Sequence, residues 1–337
     1  MSPTKKSRPV FYNILMEKGF FPDSNKIIKY QESQNYWIFK TGKKIYKVKK
    51  TENTKSAVSL EEVFCKEIVG LIQQHSPGLE PELVTLIQQA DSFYFTDQPN
   101  TTSELMFHAI KMNQLPERCF LDIIINKEKL TESILDPVCN YLYNFHQNTQ
   151  ISDSKDQGTP DSLNLRLQDL IYQSKKYLNI TITQTMIDLI LRPLEKYLSD
   201  NRKLFLRRIK KQAIKKVHGC FIPRKININK DEVMVLAKTS DPLRNCYFDV
   251  ASDLSDLTVQ LRNADLNDLS DYFVTKYCKL SNDREVKQVL PVYQALKCLT
   301  LGLENSIAMQ QTTKNEETIK QTATKYYEHA IDVVNQL

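Results

Sequence analysis

The feature that most constrains this chain is a change of period after Met112. Before it the apolar pattern supports short strands around one helix, and after it helical spacing runs to the C-terminus with few breaks. Tyr36–Lys40 and Lys43–Lys49 are rich in aromatic and β-branched residues and are joined by Thr41-Gly42, so they predict a β-hairpin. Alternation along its second strand puts Ile45, Lys47 and Lys49 on one face and Tyr46 and Val48 on the other. A helix is expected over Ser59–Gln74, capped by Ser59, with Glu61 and Glu62 in its first turn. Its buried stripe is read as Leu60, Val63, Phe64, Ile68 and Leu71, with Glu67 on or beside it and needing a partner. The runs 82–87, 92–95 and 104–110 predict three more strands. Strand, strand, helix and three strands ahead of a long helical region is an α+β arrangement.

Helices are expected over 115–147, including one at Thr131–His146, then over 163–178, 182–217 and from Val250 onward. Residues 149–162, with Gly158 and Pro160, form a polar loop, and 217–238 read as strand, loop and strand. Near the N-terminus, Phe11–Met16 predicts a short docking helix. A chain of 337 residues with 41% hydrophobic content supports two lobes, expected at 1–112 and 113–337. No apolar run of about 18 residues and no signal-peptide stretch is found, so the expected location is cytoplasmic. The seven cysteines are scattered without a Cys-x-x-Cys pair and the histidines do not cluster with acids, so reduced thiols and no metal site are expected. Gly-x-Gly-x-x-Gly and Walker-type phosphate loops are absent.

The net charge of +6 is modest, but no acidic residue lies between Asp200 and Asp231, where eleven lysines and arginines do. Over 202–217 the residues Leu206, Ile209, Ala213 and Val217 mark an apolar stripe. This predicts an amphipathic helix with Arg207, Arg208, Lys210, Lys211, Lys215 and Lys216 on its other faces. Such a patch is either a solvated helix face or a docking surface for an acidic partner. Only Phe205 and Phe221 interleave with the basic residues, which ranks a protein partner above nucleic acid.

Four segments, taken in order, resemble the aminoglycoside-phosphotransferase-like proteins, relatives of the protein-kinase fold. They are the hairpin Trp37–Lys50, the stretch His108–Glu117, the loop at His218-Gly219, and Phe248-Asp249-Val250-Ala251-Ser252-Asp253-Leu254. The resemblance implies a bilobal molecule: a small β-rich lobe with one helix, a hinge near 108–114, and a larger helical lobe. It further implies ATP in a cleft, a strand lysine paired with a helix glutamate, a loop aspartate as base, and an asparagine and a second aspartate on magnesium. The strand lysine would be Lys47 or Lys49, with Lys47 preferred, and its partner Glu67, with Glu62 the alternative. Asp249 and Asp253 would be scaffold, accepting backbone N–H groups from the loop.

The loop departs from the family. The pattern His-Gly-Asp-Leu-His-x-x-Asn-Ile falls on His218–Ile226, which puts Cys220 at the base, Ile222 at the second histidine and Lys225 at the metal asparagine; the metal aspartate falls near Val235. A thiol is a poor proton acceptor near neutrality, and thiol, ammonium and valine give magnesium no hard oxygen. Recruitment of Asn227, Asn229 or Asp231 would require a shifted loop. His218 and Cys220, two apart on a loop, read less as a nucleophile pair than as a thiol filling the missing aspartate's space. The expectation is therefore a catalytically impaired, pseudokinase-like protein that binds as a scaffold or regulator, with ATP held, if at all, without magnesium. The alternatives are an active phosphotransferase on a small hydroxylated metabolite and a polyanion-binding protein using the basic 202–230 region.

Overall fold

The computed structural model describes residues 8–17, 19–21, 28–33, 35–50, 55–90, 92–97, 106–154, 156–237, 247–311 and 315–337. Glu104 and Leu105 of the expected third strand, Lys238 and Cys246 lie outside them. The chain divides into two compact units, Met1–Glu117 with Met234–Arg244, and Arg118–Val233 with Asn245–Leu337.

The first unit is built on one antiparallel sheet. Its strands are β1 (Lys29–Glu32), β2 (Tyr36–Lys40), β3 (Lys44–Lys49), β4 (Glu82–Gln89), β5 (Ser92–Thr96) and β6 (Met106–Asn113), in the order β1-β2-β3-β6-β4-β5. The β2–β3 hairpin is the one expected, with Phe39 opposite Tyr46. Its turn needs Gly42, whose φ of +92° lies in the left-handed region. The polar sequence of β1 gave no strand signal; among the described residues it is an edge strand paired only to β2. His108–Asn113, expected to be a hinge, is the body of β6, hydrogen-bonded to both β3 and β4.

One sheet face carries an aromatic core. Phe11, Leu15, Phe21, Phe39, Tyr46, Val48 and Phe107 are buried together there. The short helix α1 (Tyr12–Leu15) belongs to this core rather than to a docking surface, because Phe11 packs edge-on against Trp37 and Phe107 at 5.3 and 4.9 Å. Each such side chain withdrawn from water contributes about 2 kcal/mol.

The other face is covered by α2 (Lys55–His75), which buries Cys65, Ile68 and Ile72 against Tyr36, Ile110 and Met112. Ser59 lies inside this helix rather than at its cap. Of the expected stripe, Ile68 is buried and Phe64 and Leu71 pack against the same core, but its first two residues do not. Leu60 and Val63 are exposed, at 72% and 60%, while Cys65, Ile68 and Ile72 are buried, which places Glu61, four residues before Cys65, on the sheet side.

The second unit is mostly helical: α3 (Leu121–Asn126), α4 (Glu132–Asn148), α5 (Pro160–Ser174), α6 (Gln184–Asp200), α7 (Arg202–Lys210), α8 (Ala251–Asn263), α9 (Asn267–Ser281), α10 (Val286–Gln311) and α11 (Glu316–Val334). The described residues also hold two small antiparallel pairs. β7 (Ile214–Lys216) pairs with β10 (Tyr247–Asp249), and β8 (Ile226–Asn229) pairs with β9 (Glu232–Val235). The expected helix over 182–217 is three elements, since the chain turns at Asn201 and again at Gln212, whose φ is +57°. Thr159 caps α5 by accepting the Ser162 N–H at 3.1 Å. No helix among the described residues is long and apolar enough to cross a membrane.

Candidate functional site

The loop from Val217 to Ile226 connects β7 to β8, and α8 holds it. Asp253 and Asp256, three residues apart, lie on one face of that helix and receive the loop's backbone. Asp253 accepts the N–H groups of His218 at 2.7 Å and Gly219 at 2.8 Å. Asp256 accepts that of Phe221 at 2.9 Å. Gly219 sits at φ +71°, a conformation that favours glycine.

Asp253 is fully buried, and a buried carboxylate persists only when paired and hydrogen-bonded. His146 of α4 supplies the partner, with Nε2 3.0 Å from Oδ2 and Nδ1 2.7 Å from the Tyr277 hydroxyl on α9. Burial pushes the Asp253 carboxyl up, but the His146 hydrogen bond and the nearby His146 and His218 outweigh it and hold it below the usual aspartate range. Asp256 is matched by Lys297 of α10, with Nζ at 2.6 Å from Oδ1. Burial alone would lower the Lys297 ammonium; the Asp256 carboxylate holds it above the usual lysine range.

Apolar packing fixes the rest of the loop. Phe221 is fully buried and stacks on Tyr141, and the His218 ring lies edge-on between Phe145 and Phe221 at 5.9 and 6.1 Å. Ile222 and Pro223 are also buried, whereas Cys220 and Lys225 are half-buried. Asn227 is buried within β8, and Asn229 and Asp231 are exposed at the β8–β9 turn. Val235 is fully buried in the first unit, and its carbonyl accepts the Ser76 hydroxyl. Cys220, Lys225 and Val235 bring no hard oxygen, so the side chains at the three matched positions do not fit magnesium. Among the described residues, no group of three or more His, Cys, Asp or Glu is placed to hold a metal ion.

Asp249 has a different role from Asp253. It accepts both Arg208 Nη2, at 2.8 Å, and Arg208 Nε, together with the Ala251 N–H at 2.9 Å, rather than an amide of the loop. Arg208, read from the sequence as part of a basic surface, is 1% exposed and also donates to Asp283 at 2.8 Å. It lies on the buried face of α7 with Leu204 and Phe205, because two carboxylates balance its charge, and Leu206 of the expected stripe is exposed. Of the remaining patch, Arg207 and Lys211 pair with Glu285 at 3.2 and 3.1 Å, and Lys215 donates to the His146 carbonyl at 2.5 Å. Lys216 is half-buried on β7 and Lys210 is exposed.

In the first unit Lys47 and Lys49 share the α2 side of β3, opposite Ile110 and Tyr36 respectively. The Lys49 ammonium stands over the rings of Tyr36, at 5.4 Å, and Phe64, at 5.2 Å. Glu61 is the α2 glutamate coupled to it: burial pushes the Glu61 carboxyl up, and Lys49 opposes that rise. Glu67 is exposed, and Glu62 pairs with Lys66 one turn on, at 2.7 Å. Burial also pushes the Cys65 thiol, beneath the same niche, up to about 12.

Asp256, Lys297, His146 and Glu61 were not singled out from the sequence as site residues. The i, i+3 spacing of Asp253 and Asp256 was the available signal for the first.

No protein-family model matches the chain, and no curated protein sequence does. Solved structures do match. A choline kinase from Cryptosporidium parvum Iowa II superposes with a TM-score of 0.55 at 9% identity, over 92% of this chain and 89% of that one. A thermostable mutant of aminoglycoside phosphotransferase APH(4)-Ia gives 0.54 at 10% identity, over 91% and 94%. A choline/ethanolamine kinase family protein from Mesorhizobium loti gives 0.51 at 10% identity, over 95% and 94%. The fold is kinase-like. The sequence resemblance and the structural likeness agree on this α+β fold.

Proposed function

We propose that this protein is a catalytically impaired, kinase-like binding protein that acts as a scaffold or regulator. The observation that carries the reading is the contrast within one loop. Its backbone is pinned through His218, Gly219 and Phe221 by two acids of α8, while Cys220 and Lys225 occupy the positions matched to the proton acceptor and a metal ligand. Phosphoryl transfer depends on positioning and on neutralising charge with metal, and a thiol, an ammonium and a buried valine supply neither a base nor a magnesium ligand. Lys225 would instead offer a fixed positive charge to an anionic group. A nucleotide would then bind without a metal requirement.

A protein is the proposed partner. The basic region supports polyanion binding less than its composition suggested, because Arg207, Arg208 and Lys211 are taken up in ion pairs with Asp249, Asp283 and Glu285. The choline kinase and aminoglycoside phosphotransferase neighbours are the ground for the competing reading, an active small-molecule kinase. Phosphate release from ATP, with and without candidate amino alcohols or aminoglycosides, tests between the two. Release at the level of a protein-free control is expected; magnesium-dependent, substrate-stimulated release would establish the competing reading.

A further inference from the structure

Cys220 sits between two anchored peptides of unequal support. On one side, the amides of His218 and Gly219 are held by Asp253, which is 0% exposed and also bound by His146. On the other, the amide of Phe221 is held by Asp256, whose charge is met by the ammonium of Lys297 at 2.6 Å. Lys297 reaches this carboxylate from α10, outside every segment that resembles a kinase landmark, and its side chain is 17% exposed. Gly219, at φ +71°, is a natural pivot between the two anchors.

We infer that Lys297 is a positioning residue: through Asp256 it fixes the Phe221 peptide, and with it Cys220 at the apex of the loop. The physical ground is the cost of leaving a buried carboxylate without a counter-charge. Without the ammonium, the Asp256 carboxylate turns toward water for its missing partner and is a weaker acceptor for the Phe221 N–H. The second anchor then loosens while the first, whose carboxylate is hydrogen-bonded by His146, does not. Cys220 pivots about Gly219 and the loop no longer presents one fixed surface. That the loop meets a ligand rests on the proposed function; that Lys297 holds it does not.

Amide hydrogen exchange on the full chain, resolved at Phe221, tests the inference. Lys297→Met is expected to speed Phe221 exchange about tenfold, the effect of losing one buried charge-assisted hydrogen bond, with the His218 and Gly219 amides unchanged. Lys297→Arg keeps the charge and is expected to restore protection. Asp256→Asn offers a neutral acceptor that needs no cation, so adding Lys297→Met to it should change Phe221 exchange no further. Should Lys297→Met alone fail to fold, Asp256→Asn is compared with the double variant, and equal exchange supports the inference. Unchanged Phe221 exchange in Lys297→Met, acceleration shared with His218 and Gly219, or further acceleration in the Asp256→Asn background would overturn it. Because the readout is the loop itself, the result stands whether or not nucleotide binds.

Discussion

The Asp253 carboxylate receives the backbone N–H groups of both His218 and Gly219, at 2.7 and 2.8 Å. A fully buried charge is thus used to fix the peptide geometry of the two residues before Cys220. Asp253→Ala would leave two buried amides and the His146 Nε2 without their acceptor. It is expected to cost about 3 kcal/mol of unfolding free energy by urea titration. A loss below about 1 kcal/mol would show that the loop is held by apolar packing alone.

The same carboxylate sets an acid limb of stability. Its folded-state pKa is held below the usual aspartate range, so the unfolded chain binds the proton more readily. The stabilisation is fully present above the unfolded value of about 4 and is lost as pH falls through the folded value. Melting temperature followed from neutrality into this range should drop, and Asp253→Asn should flatten the drop while lowering stability at neutral pH.

Arg208 and Lys210 are two residues apart in a basic run, yet they should respond oppositely to truncation. Arg208→Ala strands Asp249 and Asp283 and is expected to cost about 3–5 kcal/mol. Arg208→Lys should recover only part of this, since one ammonium cannot reproduce the guanidinium's contacts with both acids. Lys210→Ala, at an exposed position, should fall within about 0.5 kcal/mol of the parent in chemical denaturation.

Cys220 and Val235, both at positions the resemblance matches to acids, also separate by environment. Half-buried Cys220→Ala should cost on the order of 1 kcal/mol and leave nucleotide binding unchanged. Val235→Asp would put a carboxylate into a fully buried position and should cost about 3 kcal/mol or more, lowering the thermal midpoint rather than restoring chemistry.

The hairpin and the shared face of Lys47 and Lys49 were legible in the sequence because strand alternation and the Thr41-Gly42 turn are local signals. So was the anchoring role of Asp253, through the residues around it. The phase of α2 was legible only in part. Leu60 and Val63 carry hydrophobicity at the helical period but face outward, and counting them put Glu67 rather than Glu61 on the buried face. The basic run misled for a related reason. Composition registers the charge of Arg208 but not Asp249 and Asp283, which lie 41 and 75 residues away and balance it. Lys297 was illegible because Asp256, with which it pairs, is brought to it by the packing of α8 on α10. β1 escaped notice because an edge strand needs no apolar alternation.

The most direct test of the account is nucleotide binding followed by calorimetry in excess magnesium and in excess chelator, paired with phosphate release from ATP in the same samples. The account predicts that magnesium leaves any nucleotide affinity unchanged and that release stays at the protein-free level. Affinity that rises on adding magnesium, together with steady phosphate release that Cys220→Ala abolishes, would contradict it.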